Sequence, residues 1–249
     1  MQRPISLDTE GIEPAANYDG LAGVLASAVK ARGVIDPDAL EGAAAGLDAQ
    51  LKLLAVTGPT ATAEKFPTDG HVLAYWYNAR AAWSLKLLLE EGCPQEIAVR
   101  ALYDRPLPLD AREMTLRQID SILARDADFR VAVAAPGVTT QDARLPKVPF
   151  APEGIRELVA ERFAAFIDDK ARFEIDVRGK RILVPPVLWQ FRQRLIRAHR
   201  ARYDVEGATF ATALLGHLRG SPHRRLQDAV GYRLVEARSR KLVTCTRGS

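Results

Sequence analysis

Apolar residues recur along this chain at helical spacing far more often than at strand spacing. Leu21, Val24, Leu25 and Val29 predict a helix over 18–32, which Gly33 is placed to end. A second, Ala-rich helix is expected over 37–55, with Leu40, Leu47, Leu51 and Leu54 on one side. TGPTATAEKFPTDG, 57–70, is dense in Pro, Gly and Thr and reads as a loop. The next segment, 71–92, is apolar nearly all round, so its helix is expected at the centre of the fold.

Beyond Gly92 and Pro94, PQEIAVRALYD suggests a short helix, followed by a Pro-rich turn, RPLPLD. MTLRQIDSIL is a helix with Thr115 at its N-cap. VAVAA, 131–135, reads as a buried strand that runs into a Pro-Gly turn and a polar loop. An amphipathic helix over 152–168 follows, carrying Ile155, Leu158, Val159, Phe163 and Phe166 on one face. Phe173, Ile175 and Val177 alternate ahead of Arg178-Gly179-Lys180, and Ile182 to Val184 return, which predicts a hairpin. Helices over 187–202, 208–218 and 222–229 and a last strand, GYRLVEA, complete the chain. The order argues for α+β with helices dominant, a single domain and a small, mostly antiparallel sheet.

Composition narrows the class without naming a function. In 249 residues, 47% are hydrophobic and 27% charged, an ordinary globular balance, and no apolar run is long enough to span a bilayer. An integral membrane protein is therefore not expected. MQRPISLDTEGIEPAANYDG lacks the basic-then-apolar order of a secretory signal, which leaves the compartment open between cytoplasm and export. The net charge of +4 is a weak pointer to an anionic partner. Cys93 and Cys245 are too few for a disulfide framework and read as structural cysteines. His71, His199, His217 and His223 are scattered, so no metal site is expected, and no cofactor is implied.

Several segments, taken in order, resemble the domain of unknown function 547 family over residues 18–244, leaving 1–17 as an N-terminal extension and 245–249 as a tail. YDGLAGVLASAVKARGVIDPDAL is similar to the family's opening helix, and AYWYNARAAWSLKLLLEEG to its signature helix. LRQIDSIL, DADFRVAVAAPG, ILVPPVLWQFRQRL and GYRLVEARSRKLVT resemble later segments in the same order. The resemblance implies an α+β fold with a distant likeness to papain and transglutaminase folds. It also implies a Cys-His pair, in which an imidazole holds a thiolate for nucleophilic attack. This chain departs from the pattern where that chemistry would sit. Ala135 or Pro136 stands in place of the Cys, Arg130 in place of the strand His, and Asp120-Ser121 in place of a Glu-His pair. Trp76 and Asn78 remain from the signature helix, whose Tyr-Asn becomes Arg80-Ala81.

The expected protein is thus a non-catalytic, binding or structural member of that family, without catalytic residues. Its remnant cleft would lie near Asn78, Arg80, Asp120, Arg130, Ala135 and Asp142, and would take a small ligand or peptide. Asn78, in mid-helix among apolar residues, is either a hydrogen-bonded core amide or a site-lining group. On a helix Arg80 points about 200° away from it and calls for a carboxylate such as Asp120 or Asp128. Thr139, Thr140 or Asp142 could serve another mechanism, but exposed Thr and Asp in a turn-rich loop read as ordinary loop residues. One alternative is a cysteine-type hydrolase or transferase with Cys93 as a relocated nucleophile. Another is nucleic-acid binding through the Arg-rich helix around 189–203, where Arg192, Arg194, Arg197, Arg200 and Arg202 alternate with aromatics. An amphipathic helix whose arginines cover apolar surface accounts for that pattern better, so nucleic acid is not the expected partner.

Overall fold

The computed structural model describes residues 4–237 and 243–245. The chain folds as a helix-dominated α+β protein, with two small sheets set against one continuous cluster of buried apolar side chains. The N-terminal part comprises α1 (Asp19–Ala28), α2 (Pro37–Gly42), α3 (Ala44–Val56) and the long α4 (Asp69–Glu90). The expected helix over 37–55 is two helices, broken at Ala43. Asp36 caps the first of them by accepting from the amides of Asp38 and Ala39, ahead of Pro37 at the first turn.

Helix α4 is central, as its all-round apolar sequence requires. An unbroken run from Leu73 to Leu85 is buried, and the helix packs against α2, α3, α6 (Leu116–Ala124) and α8 (Ile155–Asp168). Two of its tyrosines bond to other segments' backbones. The Tyr75 hydroxyl donates to the carbonyl of Leu54 at 3.2 Å, and that of Tyr77 to the carbonyl of Val131 at 2.6 Å.

Between α4 and α6 lie α5 (Val99–Tyr103) and a hairpin of β1 (Leu107–Leu109) with β2 (Arg112–Met114). The sequence reads this place as a Pro-rich turn. The pairing forms because Asp110 and Ala111 both take positive φ, the conformation a two-residue hairpin turn needs. The Asp110 carboxylate then accepts from the amides of Thr60 and Ala61 at 2.9 and 2.8 Å, which holds that conformation in place.

The expected strand at 131–135 is absent. Arg130–Val133 forms a single helical turn, α7, and the chain then leaves it as a loop. A short, fully apolar run does not distinguish strand from buried helix, and here docking on α6 and α8 selects the helix. The predicted hairpin is β3 (Glu174–Asp176) with β4 (Arg181–Val184), antiparallel, and β5 (Arg233–Glu236) adds in parallel beside β4. The Arg-rich segment is divided into α9 (Pro186–Trp189) and α10 (Arg192–Tyr203), followed by α11 (Phe210–Leu215) and α12 (Gly220–Gln227). Among the described residues no helix is long and apolar enough to cross a membrane.

Cys93 and Cys245 are joined as a disulfide, with their Cα atoms 6.0 Å apart and a sequence separation of 152. This corrects the sequence-based reading, in which the two were separate structural cysteines and Cys93 an available thiol. No local spacing announces a pair so far apart. The bond secures a C-terminal strap, 243–245. Val243 donates to the carbonyl of Gln95 at 3.0 Å, Thr244 to that of Val138 at 2.9 Å, and the Ile35 amide to the carbonyl of Thr244 at 2.7 Å.

Candidate ligand-binding pocket

Helix α6 presents one polar side chain to the core side of the fold. Its start is fixed by a capping box, in which the Thr115 hydroxyl accepts from the Gln118 amide and the Gln118 side chain accepts from the Thr115 amide. Leu116, Ile119 and Leu123 are buried, and Asp120, on the adjoining edge, meets Arg80 of α4.

Arg80 is the hub. Its Nε donates to Asp120 Oδ1 at 2.6 Å and its Nη2 to Asp142 Oδ1 at 2.8 Å, while Nη1 donates to the carbonyl of Pro136. Burial alone would weaken the guanidinium's hold on its proton, but the two aspartates more than offset it and hold the group well above the usual arginine range. Of the two carboxylates proposed from sequence as its partner, Asp120 is confirmed. Asp128 is not, because it binds Arg130 at 2.8–3.0 Å through both carboxylate oxygens.

The loop after α7 is shaped around Asp142. Pro136 and Ala143 form a parallel bridge, with Gly137 donating to the carbonyl of Ala143 at 3.0 Å. Asp142 Oδ2 accepts from both the amide and the hydroxyl of Thr139, at 3.0 and 2.6 Å. The Tyr103 hydroxyl of α5 donates to Asp142 Oδ1 at 3.2 Å, and burial beside that carboxylate pushes the Tyr103 phenol well above its ordinary range. Position 137 has to be glycine, since a Cβ there would run into the Asp142 carboxylate and the Arg80 guanidinium.

Above this cluster opens a pocket of about 470 Å³. Its polar lining includes Asp120, Tyr103, Gln141 and Gln190 together with Arg117, which Asp120 attracts, and Ala135, Val133, Pro186 and Val187 form its apolar side. Four of the six residues expected from sequence, Arg80, Asp120, Ala135 and Asp142, therefore meet at one site. Asp120 is the most accessible charge among these four. Its side chain is 37% exposed, and among the described residues its outer oxygen meets only the Arg80 Nη2, at 3.5 Å.

The other two expected residues lie elsewhere. Asn78 is fully buried and makes a reciprocal pair with the backbone of Phe150, donating at 2.9 Å and accepting at 2.8 Å. It is a core amide tying α4 to the segment before α8, and not part of the pocket lining. Asn78→Ala would orphan both backbone groups of Phe150 and is expected to cost about 1–3 kcal/mol. Urea unfolding followed by circular dichroism measures the loss. Arg130 is turned toward Asp128 at the start of α7 and also stays out of the pocket lining, because its charge is already paired within two residues.

Cys93 does not line the pocket, and its sulfur is engaged with Cys245. Among the described residues no group of three or more His, Cys, Asp or Glu could hold a metal ion. Two arginines of the Arg-rich segment lie along neighbouring groups, while Arg197, Arg200 and Arg202 are exposed. The Arg192 guanidinium lies 4.3 Å from the centre of the Trp189 ring, and Arg194 donates to the carbonyls of Asp126 and Ala127. Phe191 is buried in the core. Sequence reasoning missed Tyr103, Gln141 and Gln190, which only tertiary packing brings together. The clue within reach was the buried Arg80, whose need for two acceptors points to Asp142 as well as Asp120.

The fold and pocket define a helix-dominated α+β protein with a polar, carboxylate-bearing cleft. No protein-family model, curated protein or solved structure matches this chain.

Proposed function

We propose that the protein is a non-catalytic binding protein, a divergent member of the domain of unknown function 547 family. Its pocket takes a small ligand or peptide that offers an N–H donor, as an amine or amide, to Asp120. The observation that carries this reading is the division of labour around Arg80. Asp142 is consumed in holding the loop, with Thr139, Tyr103 and Arg80 all on its carboxylate. Asp120 keeps an exposed oxygen toward an open cavity. A carboxylate held against a buried guanidinium is a fixed acceptor, suited to binding. Gln141 and Gln190 line the same pocket, and the Gln190 amide nitrogen donates to the carbonyl of Val187 at 3.0 Å, which fixes its side chain there.

Nucleophilic chemistry lacks its parts in this pocket. Its lining holds neither cysteine nor histidine, and the one serine, Ser121, donates its hydroxyl to the carbonyl of Arg117 at 2.8 Å. Calorimetric titration of dipeptides and small amines into the wild-type protein and Asp120→Asn tests the reading. Binding that weakens roughly tenfold or more in the variant is expected, the loss of one charge-assisted hydrogen bond. Peptide or ester turnover that vanishes on changing Asp120 or Asp142 would overturn it.

A further inference from the structure

A second cavity, of about 310 Å³, lies against α8 on the other side of the Asp142 loop. Arg144, Arg162 and Arg172 line it together with Asp168, Asp169 and the apolar Phe166. The charges there do not balance. Arg144 and Arg172 share a single carboxylate oxygen, Asp169 Oδ2, which Arg144 reaches at 2.8 Å. The other oxygen of Asp169 accepts from the amide of Ala171 at 3.1 Å. Asp168 adds nothing to the balance, since it is bound by Arg225 at 3.0 Å and by Ser221 at 3.1 Å.

Among the described residues Arg162 is bonded to no carboxylate. Its Nε donates to the carbonyl of Ala134 at 3.1 Å and its Nη2 to that of Arg144 at 2.6 Å, with the Phe150 ring 4.9 Å from its guanidinium carbon. Burial pulls this guanidinium down to about 10, with Arg172 adding repulsion. Three guanidinium groups thus share Asp169, with a weaker attraction on Arg172 from Asp142 of the loop, and positive charge is left over at the cavity wall, above all on Arg162. Arg172 is buried and Arg162 half-buried, while Arg144 reaches solvent, and like charges drawn partly out of water call for a counter-charge.

We propose that this cavity is a binding site for a phosphate-type anion, either free phosphate or the terminal phosphate of a phosphomonoester. The surplus matches an anion in sign, and guanidinium groups from a helix and a loop carry N–H donors of the kind that phosphate oxygens accept. Asp169 holds Arg144 and Arg172 at the cavity, while the main-chain contacts of Arg162 aim it without neutralising it. The two sites share the Asp142 loop, where Arg172 Nε donates to the carbonyl of Asp142 at 2.7 Å, but different side chains would meet the two ligands, so each proposal has its own test.

Calorimetric titrations at low salt with inorganic phosphate and with glycerol phosphate test the proposal. The variants are Arg162→Gln, Arg144→Gln and, as a surface control, Arg156→Gln. Binding of at least one of the two ligands to the wild-type protein is expected. Each of the first two variants should weaken it by roughly tenfold or more, and the control should leave it unchanged. Arg144 is partly exposed, so its variant remains informative if Arg162→Gln fails to fold. A preference for glycerol phosphate would assign a phosphomonoester, and equal affinity would assign the phosphate group alone. No binding at millimolar concentrations of either ligand, or binding that neither cavity variant reduces, would overturn the proposal.

Discussion

Replacing Arg80 by Met is expected to cost about 3–5 kcal/mol of folding stability, because it strands a buried charge cluster without its cation. Arg80 is almost wholly buried and donates to Asp120, Asp142 and the carbonyl of Pro136. Without it, Asp142 keeps the Thr139 and Tyr103 donors but loses the charge that justifies its burial. The loop that carries Ala135 and Gln141 would then lose its anchor to α4. Urea unfolding of the variant measures the cost. The double variant Arg80→Met, Asp142→Asn should recover part of it, since it removes the stranded carboxylate while keeping an acceptor for Thr139. A loss well below about 1 kcal/mol would mean that the cluster behaves like a surface ion pair and does not organise the pocket.

Removing the disulfide is the second large perturbation. Joining positions 152 apart restricts the unfolded chain strongly, so the Cys93→Ser, Cys245→Ser protein should be less stable by about 2–5 kcal/mol. The effect should also reach the pocket. The strap pairs with the loop through Thr244 and Val138 and through the bridge between Val243 and Thr139, whose hydroxyl and amide hold Asp142. Hydrogen exchange should therefore quicken at the amides of Thr139 and Asp142 in the double variant, while amides within α4 change by no more than the global loss. Unaltered exchange in the loop would confine the disulfide's role to overall stability.

Much of the architecture was legible because helices advertise themselves by spacing. The all-round apolar α4, the Thr115 cap of α6 and the β3–β4 hairpin follow from local pattern alone. The failures share a physical origin. VAVAA is short and apolar, and its conformation is decided by packing against α6 and α8 rather than by its own periodicity. The β1–β2 hairpin depends on Asp110 accepting amides fifty positions away, and the disulfide spans most of the chain. Within the pocket, Arg80 and Asp120 could be paired because a buried arginine needs a carboxylate. Asn78 misled because a buried amide serves a backbone as readily as a ligand, and here Phe150 takes both its groups. The Arg162 cluster carried no sequence signal, since its three arginines come from separate stretches with nothing in common but their meeting point.

The most direct test of the central claim is nuclear magnetic resonance of the isotope-labelled protein with a mixture of dipeptides, reading binding and cleavage in the same tube. Shifts gathered at Ser121, Val133, Gln141 and Gln190, with the dipeptides intact after prolonged incubation, are the expected result. Cleavage of the dipeptides that Asp120→Asn abolishes, or shifts that avoid this pocket altogether, would contradict it.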